Sequence, residues 1–460
     1  MYDLAIIGAG SAGYVAAEQA GKEGLKVVLF DKRNLGGVCL NEGCIPTKTL
    51  LYSAKLYENA INGKKYGVGS ADVSFDFSAI MARKNKIIRK LVGGVSAKMK
   101  HAKVELIEAE ATISERNKDH FVITANNTSY QCKNVLLATG AEAIVPPITG
   151  LKPDEAMTSR EILQIKELPE SLNIIGAGVI GLEFASFFNS LGTTVNVFEM
   201  LPEILPETDI ELARMLRADL SKKGIIFHTS TTVTEIQGKK LIYENTEGKG
   251  EIEAEKLLLS VGRKANLSGL GLEELGVEMT RVGIKIDQNC RTNIPNIYAA
   301  GDITGFSQLA HTASREGSVA VNHILGKSDT MRYSAVPSVV YTNPEIASVG
   351  LRESDAKDKG IACKTLKLPM AYAGRFVVEN EGRNGMAKIV VGEKYGEVLG
   401  VHLYGNPSSE IIHSACIAIE MQMRVSDLQE IIFPHPTVSE IIHEVAFEAK
   451  LNCKICLSVN

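Results

Sequence analysis

The sequence predicts an α/β protein with two nucleotide-binding domains and a third, α+β domain, and three observations carry that expectation. A short apolar strand runs into a glycine-rich turn and a helix at the start of the chain. The same pattern recurs near residue 175, and from about Val336 the character changes to strands of alternating residues and helices. A chain of 460 residues also exceeds what one hydrophobic core organises, so about three domains are expected.

The first copy opens with Tyr2-Asp3-Leu4-Ala5-Ile6-Ile7, a nearly continuous apolar run of the kind a buried strand shows. Gly8-Ala9-Gly10-Ser11-Ala12-Gly13 follows at once, and an alanine-rich helical stretch continues to about Gly21. A second strand over 26–30 ends on Asp31, 18 residues past the last glycine. The second copy has a strand over 172–175, Gly176-Ala177-Gly178-Val179-Ile180-Gly181, a helix to about Leu191 and a strand over 194–198. That strand ends on Glu199, again 18 residues past the last glycine.

One such glycine pattern is weak evidence. Two, each set between strand and helix and each followed by an acid at the same distance, predict two Rossmann-like dinucleotide sites. The glycines let the backbone approach a pyrophosphate, whose charge is favoured at a helix N-terminus, and the carboxylate accepts from ribose hydroxyls. A 2′-phosphate is repelled by Glu199, and Met200-Leu201-Pro202 offers no Arg to bind one, so the second site is expected to prefer NAD over NADP. Farther on, the apolar run up to Tyr298 ends in Gly301-Asp302 and returns to nucleotide-like chemistry. In the third domain, strands are expected over 387–391 and 398–403, and helices over 408–421 and 438–449.

Composition narrows the class. Hydrophobic residues make up 45% and charged residues 23%, ordinary for a soluble globular protein and no argument for disorder. The net charge is −4 with Lys and Arg spread along the chain, so no nucleic-acid partner is expected. No apolar stretch approaches the ~20 residues that span a bilayer, and no leader-like segment precedes the first strand. The expectation is a cytoplasmic protein without a membrane partner.

Eight cysteines show no secreted disulfide framework, but two close pairs stand apart, Cys39 with Cys44 and Cys453 with Cys456. The first lies in Leu35-Gly36-Gly37-Val38-Cys39-Leu40-Asn41-Glu42-Gly43-Cys44-Ile45-Pro46-Thr47-Lys48. On an early helical turn, thiols at this spacing can approach closely enough for a short-loop disulfide, and the neighbouring glycines permit packing against a planar ring. So small a loop constrains the unfolded chain little, which points to redox work rather than stapling. The second pair supplies only two ligands, half of a structural zinc site, and no metal is expected.

Near the far end stands Phe433-Pro434-His435-Pro436-Thr437-Val438-Ser439-Glu440. A thiolate is the reactive form of cysteine, and exchange near neutral pH gains from an imidazole base whose tautomer a carboxylate fixes. His435 is the candidate base and Glu440 its orienter, although a lone His is more often structural.

The Cys39 to Lys48 segment closely resembles the redox site of the pyridine nucleotide-disulfide oxidoreductases, and the resemblance spans essentially the whole chain. It implies that the first nucleotide site binds FAD, that Cys44 contacts the flavin and that Cys39 exchanges with substrate. It also implies an obligate homodimer in which His435 reaches the cysteines of the partner subunit. The implied domains are 1–143 for the first part of the FAD-binding domain and 144–265 for NAD. Residues 266–335 complete the FAD-binding or central domain, and 336–460 form the dimerisation domain. Lys48 and Glu183 look like the family's ion pair beside flavin and nicotinamide. Asp302, after Gly301, is placed to reach a flavin ribityl hydroxyl. Gly37, Gly140, Gly262, Leu309, Ala310 and His311 are expected as further cofactor contacts, with His311 placing ring edges rather than titrating.

Three segments, around Glu183, His311 and Thr342-Asn343-Pro344-Glu345, are similar to family members that oxidise dihydrolipoamide with NAD in partnership with a lipoyl-bearing protein of a multienzyme complex. The alternatives are an NAD-linked reductase of another low-molecular-weight disulfide and a non-catalytic docking subunit. Asp31 stands where the family commonly has Glu, which shortens its reach to the ribose. Cys453 and Cys456 resemble an extra thiol relay of some relatives, but nothing upstream calls for one.

Overall fold

Each glycine turn follows a central strand of its own sheet, and that strand pairs in parallel with both of its neighbours. The computed structural model describes residues 1–69, 71–152 and 157–452, so Cys453 and Cys456 lie outside the described residues. The first sheet is built from β1 (Tyr2–Ile7), β2 (Val27–Asp31), β3 (Glu105–Glu108), β4 (Ala111–Arg116), β5 (Phe121–Ala125) and β6 (Thr128–Leu137), in the order β3-β2-β1-β6-β5-β4. In β1, Leu4 and Ile6 enter one core and Ala5 and Ile7 another, the two faces of a strand with period two. That is why its sequence reads as an unbroken apolar run. β6 pairs antiparallel with β5 through its first half and parallel with Ile297–Ala299 through its second. The chain therefore returns to the first sheet after completing the second.

The returning strand is shorter than the apolar run suggested, because Asn296 adopts a left-handed conformation directly after Pro295 and the strand starts only at Ile297. The second sheet has four parallel strands in the order Ile226–His228, Thr194–Phe198, Ser171–Ile175 and Lys256–Leu259. Helices α1 (Ser11–Lys22), α2 (Gly37–Glu42), α3 (Cys44–Ile61) and α4 (Phe77–His101) belong with the first sheet, and α5 (Val179–Ser190) follows the second glycine turn. Leu50 and Ala54 of α3 share a core with Leu182, Phe184 and Phe188 of α5. Full burial of such large apolar side chains contributes roughly 1.5–3 kcal/mol each. The helix that begins at Cys44 is thereby braced against both nucleotide-binding halves.

The third part is a five-stranded antiparallel sheet from Ser338 to Tyr404, with helices Ser408–Glu420 and Glu440–Asn452 packed into the same core. The last helix starts at Glu440, two residues later than expected, because the Glu440 carboxylate accepts the Thr437 N–H and closes the preceding turn. Two buried ties fix this part against the second sheet. Lys388 Nζ lies 2.6 Å from Asp209 Oδ2, and Asp209 also caps the helix Ile210–Lys222. Glu58 of α3 accepts from Ser190, Lys223 and Asn343, joining all three parts at one point. No described helix is long and apolar enough to cross a membrane.

Candidate active site

The two acidic strand ends make the same pair of contacts. Asp31 Oδ2 accepts the Ala9 N–H at 2.7 Å and Oδ1 the Arg33 N–H at 2.8 Å. Glu199 Oε2 accepts from Ala177 N and Oε1 from Leu201 N, both at 2.9 Å. Each carboxylate is thus tied to its glycine loop, and its remaining lone pairs are left for hydroxyl donors.

A cleft of about 1280 Å³ runs between the two loops. Gly8, Gly10 and Asp31 line it from the first copy, and Gly176, Gly178, Glu183 and Glu199 from the second. Gly37, Cys39, Cys44 and Lys48 lie along it, as do Gly140, Gly262, Gly301 and Asp302. Leu309, Ala310 and His311 complete the predicted set, and His311 Nε2 sits 2.8 Å from the Pro337 carbonyl. Gly13 and Gly181 are off the lining. A Cβ on Gly13 would lie 1.8 Å from Gly8 O, and one on Gly181 would lie 2.2 Å from Gly176 O. These third glycines let helix and loop close on each other. Gly10 and Gly178 have open space where a Cβ would point. An open cradle at each helix N-terminus, next to an acid with spare lone pairs, suits a dinucleotide pyrophosphate and ribose. Beside Glu199 the cleft is lined by Met200, Leu201, Thr231 and Thr232, none of them basic.

Cys39 in α2 and Cys44 at the start of α3 form a disulfide with their Cα atoms 4.7 Å apart. Gly43 breaks the helix between them, and the Gly36-Gly37 pair at the start of α2 has positive φ angles of 98° and 61°. Gly37 packs so closely on Gly10 that a Cβ would come within 2.5 Å of its Cα, which ties the redox segment to the first cradle. One turn after Cys44, Lys48 Nζ contacts Glu183 Oε2 at 2.7 Å and Oε1 at 2.9 Å, and the Glu183 carboxylate is buried.

His435 and Glu440 come together, with Nδ1 2.9 Å from Oε1, but they do not line the cleft of their own chain. The His435 side chain is 80% exposed.

Three charged groups in or behind the cleft wall escaped sequence reasoning. Arg160 Nε pairs with Glu42 Oε2 at 2.6 Å, tying the end of α2, between the two cysteines, to the segment before the second sheet. Arg263 donates to the Ala141 carbonyl and stands 3.9 Å from Asp302. Desolvation raises the Asp302 carboxyl above the usual carboxylate range, and Arg263 opposes the shift. Glu316 is fully buried behind the Gly301 turn, accepting from Gly301 N at 2.6 Å and from the Tyr333 hydroxyl at 2.8 Å. Burial pushes its carboxyl up to about 7. The signal for Glu316 was its place on the apolar stripe of its helix, among Thr312, Ala313, Val319 and Ala320.

Two dinucleotide cradles meeting over one disulfide define a nucleotide-linked disulfide oxidoreductase. Residues 2–317 match the family model of the pyridine nucleotide-disulphide oxidoreductases, and residues 336–446 match that family's dimerisation domain. The chain belongs to this family. It is 38% identical over 446 residues to a dihydrolipoyl dehydrogenase of Geobacillus stearothermophilus, covering 96% of this chain and 94% of that protein. It is 37% identical over 450 residues to one from Bacillus subtilis, covering 96% and 95%. Among solved structures it is similar to LpdA of Mycobacterium tuberculosis, with a TM-score of 0.89, 27% identity and coverage of 97% and 99%. It also resembles the HOCl-induced flavoprotein disulfide reductase RclA of Escherichia coli, with a TM-score of 0.84, 27% identity and coverage of 97% and 99%.

Proposed function

We propose that the chain is an NAD-dependent dihydrolipoyl dehydrogenase, a homodimer that holds FAD in the first cradle and NAD in the second. The observation that carries this reading is the Cys39–Cys44 disulfide opening on the cleft shared by both cradles. When bound, FAD supplies the two-electron chemistry that connects a dithiol to NAD. Gly8, Gly10 and Asp31 would hold its adenosine half, Asp302 its ribityl chain, and Lys48 with Glu183 would face the region where the two cofactors meet.

The chain's own residues handle sulfur and protons. His435 takes a thiol proton from dihydrolipoamide, and the resulting thiolate attacks Cys39 Sγ. The Cys39–Cys44 bond breaks and Cys44 leaves as a thiolate. The substrate's second thiol attacks the substrate sulfur of the mixed disulfide and closes the oxidised lipoyl ring, and its proton passes to Cys39, which leaves as a thiol. Cys44 is the first residue of an 18-residue helix, so its thiolate stands at the positive end of the helix dipole, which favours it as the leaving group.

Because His435 is exposed and away from its own chain's cleft, it serves the partner subunit's Cys39. The exposed Tyr372, Val378 and Ile432 give the C-terminal part apolar surface for a second copy. The domain limits 1–143, 144–265, 266–335 and 336–460 belong to this reading, as does a lipoyl-bearing protein as cytoplasmic partner.

Steady-state assays test it. NAD reduction by dihydrolipoamide is expected to exceed NADH-linked reduction of glutathione disulfide or coenzyme A disulfide. A preference for either of those disulfides moves the protein to the other reductase class, and FAD binding without any turnover leaves a docking role. Anaerobic dihydrolipoamide is expected to raise long-wavelength thiolate-to-flavin absorbance, and a Cys44→Ser variant that retains this band would overturn the roles given to the two cysteines.

A further inference from the structure

The Lys48–Glu183 pair has a third member. The backbone N–H of Tyr341 donates to Glu183 Oε1 at 3.0 Å, and the Lys48 ammonium lies 4.5 Å from the centroid of the Tyr341 ring. Lys48 comes from α3, one turn beyond Cys44. Glu183 comes from α5, and Tyr341 directly follows the C-terminal sheet strand Ser338–Val340. All three side chains line the cleft. The Tyr341 hydroxyl has no hydrogen-bond partner among the described residues, so the ring face and the backbone N–H are what this residue contributes. Desolvation raises its phenol above the ordinary value, so the ring stays neutral and keeps its negative face.

We infer that Tyr341 is a positioning residue for the flavin. Its ring holds the Lys48 ammonium at the junction of the two cradles while its N–H holds the carboxylate that pairs with it. The inference rests on the FAD reading given above. Two of the three ammonium protons can serve Glu183, whose oxygens lie at 2.7 and 2.9 Å, and a cation over an aromatic face gains further electrostatic attraction. Without the ring, the Glu183 contacts alone restrain the four-carbon lysine stem, and its charge shifts more readily toward water. Reduction adds negative charge to a flavin, so a positive charge held in place favours the reduced form. Tyr341 thereby links the position of the C-terminal sheet to the redox poise of a cofactor bound by the other two parts.

The test is an anaerobic titration of the FAD-loaded enzyme with NADH, read, beyond the first two electrons that reduce the Cys39–Cys44 disulfide, as the equilibrium constant for flavin reduction from its absorbance. Tyr341→Phe keeps the ring and the backbone and is expected to leave the constant unchanged. Phenylalanines of increasing fluorination at position 341 weaken the ring's negative face at nearly constant shape. They are expected to lower the constant stepwise by roughly three- to tenfold, the range set by the strength of a cation–π contact. Tyr341→Leu is expected to match the most fluorinated ring. A flat fluorination series in FAD-loaded protein overturns the role of Tyr341, because a ring that only fills space is indifferent to its charge distribution. A wild-type protein that takes up no FAD overturns the parent reading instead, and the two failures are distinguished by the FAD content measured before each titration.

Discussion

His435 Nδ1 sits 2.9 Å from Glu440 Oε1, while the other oxygen of that carboxylate accepts the Thr437 N–H at 2.8 Å. The backbone contact first, and then the histidine, hold the Glu440 carboxyl below its ordinary range, so it stays ionised throughout the neutral region. An ionised Glu440 directs the ring proton to Nδ1 and leaves Nε2 as the acceptor, which is the tautomer a general base requires.

His435→Gln is therefore expected to lower kcat with dihydrolipoamide by about 10²–10⁴, the usual contribution of a positioned base. NADH oxidation by an artificial electron acceptor bypasses the thiol step and is expected to persist. Glu440→Gln is expected to give a smaller loss in the same assay. Equal loss of both activities in His435→Gln would remove the histidine from thiol chemistry.

Glu199 is expected to govern the second nucleotide. A hydrogen bond to a charged group is worth about 1.5–3 kcal/mol, so Glu199→Ala should raise KM for NAD about tenfold or more and narrow the preference over NADP. FAD content is expected to stay unchanged, since Asp31 performs the matching role in the other cradle. Steady-state kinetics with both nucleotides measure this, and an unaltered KM for NAD would take Glu199 out of the site.

Glu316 makes stability depend on pH. Its ordinary value is 4.5, and in the fold it keeps its proton to about 7. Between those values the folded state binds more protons than the unfolded chain, so stability falls as pH rises through that window and levels off above it. The full shift corresponds to about 3 kcal/mol. Glu316→Gln is neutral at every pH and is expected to flatten this dependence. Thermal unfolding of both proteins at pH 5 and pH 8 decides the matter, and parallel curves would mean that Glu316 ionises normally.

The third glycines are expected to fail separately. An alanine methyl at Gly13 collides with the Gly8 carbonyl, and one at Gly181 with the Gly176 carbonyl. Gly13→Ala should reduce FAD content on purification, whereas Gly181→Ala should keep FAD and raise KM for NAD. Loss of FAD in both variants would show that the cradles are not independent.

The parts of this protein legible in the sequence are those whose geometry is set within a few residues. The two glycine turns, the acids 18 residues beyond them, the paired cysteines and the His435–Glu440 pair all have spacings that local backbone conformation converts directly into proximity. Apolar runs likewise identified the central strands, although the left-handed Asn296 shortened one of them and the Glu440 contact delayed a helix.

Packing between distant segments decided the rest. Family resemblance had already paired Lys48 with Glu183, but Tyr341 joins them only through the seating of α3 against α5 and the C-terminal sheet. Glu316 reads as one more helix carboxylate until burial behind Gly301 removes its water and raises its proton affinity. Gly13 and Gly181 look the same as their neighbours in sequence, yet the fold turns them away from the cleft to let helix and loop touch. Spacing along the chain settled which chemical groups this protein carries. Solvent exclusion and contact between remote elements, which spacing does not encode, settled which of them face the cleft and in what ionisation state.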